Sequence, residues 1–162
     1  QALADDILLG GIGESSDAHH MSSPHPEGLG ARLAMEAALR MAGLQPADID
    51  YINLHGTSTP SNDAAEDKGV SAVFGERTPC SSTKGHTGHT LGAAGGIEAV
   101  ICALALRHGF APAGVGTQEL DPRLSCRYLL ANLDQPMRHV LSNSFGFGGS
   151  NCSLVFSRVG EQ

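Results

Sequence analysis

The residues most able to do chemistry in this 162-residue chain fall in three short segments. Ser81-Ser82-Thr83-Lys84-Gly85-His86-Thr87-Gly88-His89 packs a lysine and two histidines into a glycine-spaced loop, which runs into a nearly unbroken apolar stretch. If that stretch is a helix, its positive end faces the loop. Lysine, imidazole and helix dipole together then favour a bound carboxylate or a developing oxyanion. His55-Gly56-Thr57-Ser58-Thr59 sets a histidine among three hydroxyls. It reads either as a base or donor beside hydroxyls that hold a polar ligand, or as a histidine satisfied by a local Ser/Thr turn. Phe145-Gly146-Phe147-Gly148-Gly149 has glycines that let backbone N–H groups turn toward an oxyanion. Its phenylalanines read as a gate on an apolar tunnel or as core.

Glu98 sits inside the apolar stretch, where an unpaired carboxylate is costly. Lys84 or one of the histidines is its natural partner, unless it lies on a solvent-facing seam.

The elements that position these segments are legible from periodicity. A short strand is expected within residues 6–13 at Ile7-Leu8-Leu9, followed by a polar loop over 14–27. A helix is expected over 28–42, with Leu29, Leu33, Ala37 and Met41 on one face and Arg32, Glu36 and Arg40 on another. Gly43 and Pro46 end it. Residues 50–54 form an apolar strand that delivers His55 to its C-terminal end. Thr59 as cap and Pro60 at the first helical position open a second helix running to Phe74 and stopping at Gly75. Asp63 and Glu66 in its first turns suit the dipole. A strand over 79–82 precedes the Lys84 loop. The helix over 91–107 is apolar nearly all round and is expected to be buried. Residues 110–138 are weakly patterned, with a strand near 128–130. Two last strands cover 139–142 and 152–157. Strands alternating with helices predict an α/β layered domain with three loops at strand ends.

Composition excludes several classes. The net charge of −7 and the lack of a basic patch argue against nucleic-acid binding. Cysteines stand at 80, 102, 126 and 152, with no CxxC spacing, so no metal site is expected. Cys102 reads as core, no disulfide is required, and a reducing cytoplasm fits. No leader pattern is read at the start. The apolar run over 91–106 is short for a membrane span and carries Glu98, so no membrane association is expected. The chain begins at Gln1 and is expected to be a fragment or processed piece.

Taken in order, His19-His20-Met21-Ser22-Ser23-Pro24, His55-Gly56-Thr57-Ser58-Thr59-Pro60, Ser82-Thr83-Lys84 through Gly88-His89, and Asn143-Ser144-Phe145-Gly146-Phe147-Gly148-Gly149-Ser150-Asn151 resemble the C-terminal half of the β-ketoacyl-ACP synthases. These are thiolase-like condensing enzymes. The resemblance covers residues 7–156. Polyketide synthase ketosynthases usually show HGTGT followed by GDP. Thr57-Ser58-Thr59 and Asn62-Asp63 look more like the free-standing type II synthases.

The resemblance implies one half of a layered α-β-α-β-α fold, a mixed sheet with a buried helix. It treats all 162 residues as one C-terminal lobe, with the N-terminal lobe absent. It implies decarboxylative Claisen condensation in fatty acid or related biosynthesis: a cysteine takes an acyl group, and the carbanion from malonyl-ACP attacks it. His55 and His89 match the two histidines of decarboxylation, Lys84 the lysine that orders the second histidine, and Glu98 its carboxylate partner. Thr57 and Thr59 match the hydroxyls that hold the pantetheine arm, with Ser22 assisting. The Phe147 N–H matches half the oxyanion hole and its ring the acyl gate, flanked by Phe145 and Gly148. His86 receives no role.

None of the four cysteines matches the nucleophile, and Cys80, inside a strand, lacks the activation a thiolate needs. The fragment alone is therefore expected to be inactive in condensation. The expected partners are acyl carrier protein, the missing lobe and a second copy in a homodimer. No cofactor is expected beyond the phosphopantetheine arm of the carrier. The alternative is a non-catalytic thiolase-fold partner that acts by association.

Overall fold

The computed structural model describes residues 6–160. In chain order the elements are β1 (Ile7–Ser16), α1 (Leu29–Ala42), β2 (Tyr51–Asn53), α2 (Pro60–Phe74), β3 (Pro79–Ser81), the single turn α3 (Lys84–Thr87), α4 (Ala94–His108), β4 (Phe110–Ala111), β5 (Arg127–Tyr128), β6 (Leu133–Asp134), β7 (His139–Phe145) and β8 (Ser150–Arg158). Six strands form a mixed sheet in the order β1-β8-β7-β2-β3-β5; β4 and β6 pair separately. β2 runs parallel to β3 and β7, and β3 parallel to β5, while β8 is antiparallel to both β7 and β1.

Strand side chains alternate between faces, and β2 shows what this divides. Ile52 and Leu54 join Met35, Leu39, Val70 and Phe74 in a core under α1 and α2. Tyr51 faces the other way and joins Cys102, Ala105, Leu106 and Val140 in a core under α4. The domain is thus three layers, helices–sheet–helix, as an α/β reading requires.

The structure departs from the sequence reading in several places; the Lys84 segment is a helical turn, and the weakly patterned stretch supplies β4 and β6 as well as a strand at Arg127–Tyr128. β1 is longer than Ile7-Leu8-Leu9 suggests: Glu14, Ser15 and Ser16 pair with Cys152, Asn151 and Ser150, so the polar loop begins only at Asp17. β7 and β8 likewise extend into the glycine-rich connection, leaving a turn over 146–149.

The buried face of α1 is not the expected Leu29, Leu33, Ala37 and Met41 face. Gly30, Ala31, Ala34, Met35, Ala38 and Leu39 are buried, while Leu29, Leu33 and Met41 are exposed. The reason is close approach. A Cβ at Gly13 would lie 1.9 Å from the Ala34 carbonyl oxygen, and one at Gly11 would lie 2.2 Å from that of Ala38. Small residues on both elements let α1 sit directly on β1, and Leu-sized side chains cannot enter that seam.

Finally, α4 is buried on one face only. Glu98, Cys102, Ala105 and Leu106 are covered, but Val100 and Leu104 are 60% and 46% exposed. With the preceding 3₁₀ turn the helical stretch Leu91–His108 has the length and apolarity to cross a membrane, longer than the sequence run suggested. Its covered face nevertheless packs on Tyr51 and Val140 and holds a charged pair, the environment of a core helix.

Candidate active site

β2 ends at Asn53, and the chain passes through Leu54 to His55 at the C-terminal edge of the sheet. The backbone there is held from both sides: Leu54 N donates to Ser81 O at 2.8 Å, and Ser82 Oγ donates to Gly56 O at 2.7 Å. Gly56 has φ +40, and its Cβ position would clash with the Ser82 side chain at 2.5 Å, so this turn requires glycine.

The peptide N–H groups of His55 and Gly56 both donate to the carboxylate of Glu66, to Oε1 and Oε2, each at 2.8 Å. Asn143 Nδ2 donates to the same Oε1 at 3.2 Å. Burial pushes the Glu66 carboxyl up to about 7, against the pull of these N–H donors. Sequence reasoning placed Glu66 only at a helix dipole. The signal available was its place in the second turn of α2, on the side that turns back toward β2.

His55 itself is buried. Burial first, then the neighbouring Lys84 and His89, push its imidazolium down to about 3, so the ring is neutral at physiological pH. The His89 ring meets it edge to face, centroids 5.4 Å apart at 85°, and the Phe145 ring lies 5.7 Å away. His89 is exposed on the cleft side.

Lys84 opens α3 and is itself buried. Its Nζ donates to the His55 carbonyl oxygen and to Glu98 Oε1, and stands 3.5 Å from His55 Nδ1. An ammonium facing Nδ1 favours the tautomer with its proton on Nε2. The Lys84–Glu98 pairing expected from sequence is therefore present. The expected link from Lys84 to the second histidine is corrected: the lysine reaches back to the end of β2 and orders His55. Burial raises the Glu98 carboxyl, and the Lys84 bond opposes that rise.

Below this pair, Glu98 Oε2, Asn53 Oδ1 and Ser142 Oγ are buried without a partner. Asn53 and Ser142 are register partners across β2 and β7. Among the described residues no cluster of His, Cys, Asp and Glu suited to a metal occurs.

The histidines open onto a cleft of about 650 Å³ lined by Ser22, His55, Thr57, Thr59, His89, Phe145 and Phe147, among others. Thr57 and Thr59 hydroxyls are 2.9 Å apart and share a hydrogen bond. Thr59 caps α2 by position but not through its side chain. Phe147 is 85% exposed. Gly148 adopts φ 82, and its N–H donates to Met21 O at 2.8 Å, tying this turn to the Ser22 loop. The structure thus brings together every singled-out residue on the cleft or directly behind it, with Gly148 in the turn that anchors Phe147. His86 lies outside the cleft lining.

The cysteines stand apart from it. Cys80 and Cys102 are buried. Burial pushes the Cys102 thiol up to about 12. A hydrogen bond to Cys126, and then burial, hold the Cys80 thiol well above its ordinary range. Neither these two nor Cys126 or Cys152 lines the cleft.

A neutral, oriented imidazole beside a second histidine, over an apolar-walled cleft with hydroxyls, can set N–H donors on a developing oxyanion. The chain belongs to the beta-ketoacyl synthase family: residues 8–118 match the beta-ketoacyl synthase C-terminal domain. It is 47% identical over 158 residues to the mitochondrial 3-oxoacyl-[acyl-carrier-protein] synthase of Arabidopsis thaliana, covering 93% of this chain and 34% of that protein. It is 44% identical to 3-oxoacyl-[acyl-carrier-protein] synthase 2 of Vibrio cholerae, covering 92% of this chain and 37% of that protein. Among solved structures, a ketosynthase in complex with its chain length factor from Xenorhabdus doucetiae superposes with a TM-score of 0.91 at 52% identity, over 98% of this chain and 40% of that one. The chain therefore spans between a third and two fifths of these relatives.

Proposed function

We propose that these residues are the C-terminal part of a β-ketoacyl-ACP synthase that elongates acyl chains by decarboxylative Claisen condensation. The observation that carries the reading is the His55–His89 pair, with His55 held neutral and Lys84 against its Nδ1. Two N–H donors can then hold the malonyl thioester oxygen as CO₂ leaves and the C–C electron pair becomes an enolate. The enolate carbon attacks an acyl-cysteine thioester. The tetrahedral oxyanion is met by the Phe147 N–H, and the cysteine thiolate departs. That cysteine is supplied from outside these 162 residues, because none of the four here faces the cleft.

Substrate arrives on the phosphopantetheine arm of acyl carrier protein, along Thr57, Thr59 and Ser22, with Phe145 and Phe147 at the acyl side. No further cofactor is invoked. The exposed apolar face of α4, with Val100 and Leu104, is where the rest of the enzyme packs. A cytoplasmic setting rests on the unpaired cysteines and on bacterial relatives such as that of Vibrio cholerae.

The test is malonyl-ACP decarboxylation by the intact protein. His55→Ala and His89→Ala are each expected to lower it by about 10²–10⁴-fold. An unchanged rate in both variants rejects the assignment. The 162-residue chain alone is expected to form no acyl-enzyme, and robust acylation of Cys80, Cys102, Cys126 or Cys152 overturns that part.

A second reading concerns the assembly. The 52% identity to a ketosynthase solved with its chain length factor favours a heterodimer of that kind over a homodimer. Native mass spectrometry of the intact protein expressed alone separates the two: a stable homodimer counts for the fatty-acid type.

A further inference from the structure

Glycine takes most of the left-handed backbone positions in this fold. Among the described residues only Ala18, Ser58 and Leu91 hold a positive φ without being glycine. All three sit in cleft-lining segments: Ala18 follows Asp17, Ser58 stands between Thr57 and Thr59, and Leu91 lines the cleft itself, two residues after His89. Leu91 is the most strained by type. At φ 53 its Cβ crowds the following carbonyl, and a leucine has no polar group to offset that with a local hydrogen bond.

The conformation is imposed from behind. Ala93 N donates to Thr90 O at 3.2 Å, closing the 3₁₀ turn Leu91–Ala93 that leads into α4. The first turn of α4 is pressed onto β7, where a Cβ at Gly95 would lie 2.8 Å from Ser144 Oγ. One turn further on, Glu98 is paired with Lys84. A glycine at position 91 would take this φ freely. The core does not need the side chain either, since Leu91 is 74% exposed. What leucine adds is an isobutyl group on the cleft wall beside His89. Phe145 already stands against the His55 ring; Leu91 is the large apolar residue of the wall nearest His89 in the chain.

We propose that Leu91 keeps water from the enolate formed at the histidine pair, so that the enolate reacts with the acyl group and not with solvent. The inference rests on the condensing reading of the site. When CO₂ leaves malonyl-ACP, the C–C electron pair becomes the enolate of an acetyl thioester, and two fates compete. The enolate carbon can attack the acyl-cysteine carbonyl, forming the new C–C bond and releasing the thiolate. It can instead take a proton from water, giving acetyl-ACP and hydroxide, and the condensation is lost. The second fate needs a water molecule at the carbon, and an apolar side chain on the wall beside His89 denies it one.

The experiment gives the intact protein malonyl-ACP with butyryl- or octanoyl-ACP and measures acetyl-ACP and β-ketoacyl-ACP together by mass spectrometry. Leu91→Ala and Leu91→Gly are expected to raise the acetyl to β-ketoacyl ratio by about tenfold or more. Leu91→Met restores an apolar side chain of similar volume and is expected to return the ratio to within about threefold of the wild type. The two truncations differ chiefly in backbone freedom, so Leu91→Gly is expected to resist urea better than Leu91→Ala. An unchanged ratio in both truncations overturns the proposal. So does a parallel loss of both products, or weaker assembly at constant ratio, either of which makes Leu91 a packing residue. A Leu91→Gly protein no more stable than Leu91→Ala removes the strain from which the role is inferred. A wild-type protein that forms neither product overturns the condensing reading itself, and this inference with it.

Discussion

Glu66 offers the sharpest test of how the site is built. Its carboxyl is moved from 4.5 to about 7 by burial, and it accepts the N–H groups of His55 and Gly56. Because the folded value lies above the unfolded one, the folded chain binds the extra proton between them. The contribution is fully present below about pH 4.5 and is lost as pH rises through about 7. At roughly 1.4 kcal/mol per pH unit, the loss is about 3 kcal/mol by pH 8.5. Glu66→Gln removes the titration while keeping one oxygen acceptor. The variant also turns an amide N–H₂ toward a backbone donor, at a pH-independent cost of about 1–3 kcal/mol. Urea unfolding of the wild-type and variant chains at pH 5, 6, 7 and 8 isolates the effect, since other titrating groups cancel in the difference. The variant is expected to be the less stable at pH 5, and the gap to close by about 2–3 kcal/mol by pH 8. A gap that stays constant across this range refutes the idea that Glu66 is a buried carboxyl under His55.

Other expectations follow from the same geometry. His55 is shifted the opposite way: its folded value of about 3 lies below the unfolded 6.5. Its contribution is present above about pH 6.5 and is lost as pH falls toward 3, so a His55→Ala chain should show a flatter acid limb in urea titrations. Lys84→Met leaves Glu98 buried without its cation and should cost about 3–5 kcal/mol, while Lys84→Met with Glu98→Leu should recover much of that loss. A double-mutant cycle with no coupling would contradict a direct pair. Gly13→Ala forces a methyl onto the Ala34 carbonyl, 1.9 Å from the Cβ position, and should lower stability by at least about 1–3 kcal/mol. Leu104→Asp, on the open face of α4, should leave the stability of the 162-residue chain within about 0.5 kcal/mol yet weaken assembly of the intact protein, read by sedimentation.

Much of the site was readable in advance because its signals are local. His55 follows a short apolar strand, Lys84 and His89 share one glycine-spaced loop, and Glu98 stands out in an apolar helix. Thr59-Pro60 and Gly75 bound α2 as their backbone preferences require. The role of Glu66 was not readable, because its carboxylate bonds backbone N–H groups, which no residue type reveals. The face of α1 was misjudged because size, not apolarity, selects what can approach Gly11 and Gly13.

The amino-acid order alone thus determined the alternation of strands and helices, the three chemical loops and the candidate histidines, lysine and glutamate. Each depends on residue types within a few positions of one another. The tertiary structure decided which groups meet: Lys84 turned to His55 rather than His89, Glu66 on the backbone N–H groups of His55 and Gly56, and α4 covered on one face only. It also decided how each group titrates. Desolvation depends on every segment packed around a site, and those segments come from distant parts of the chain.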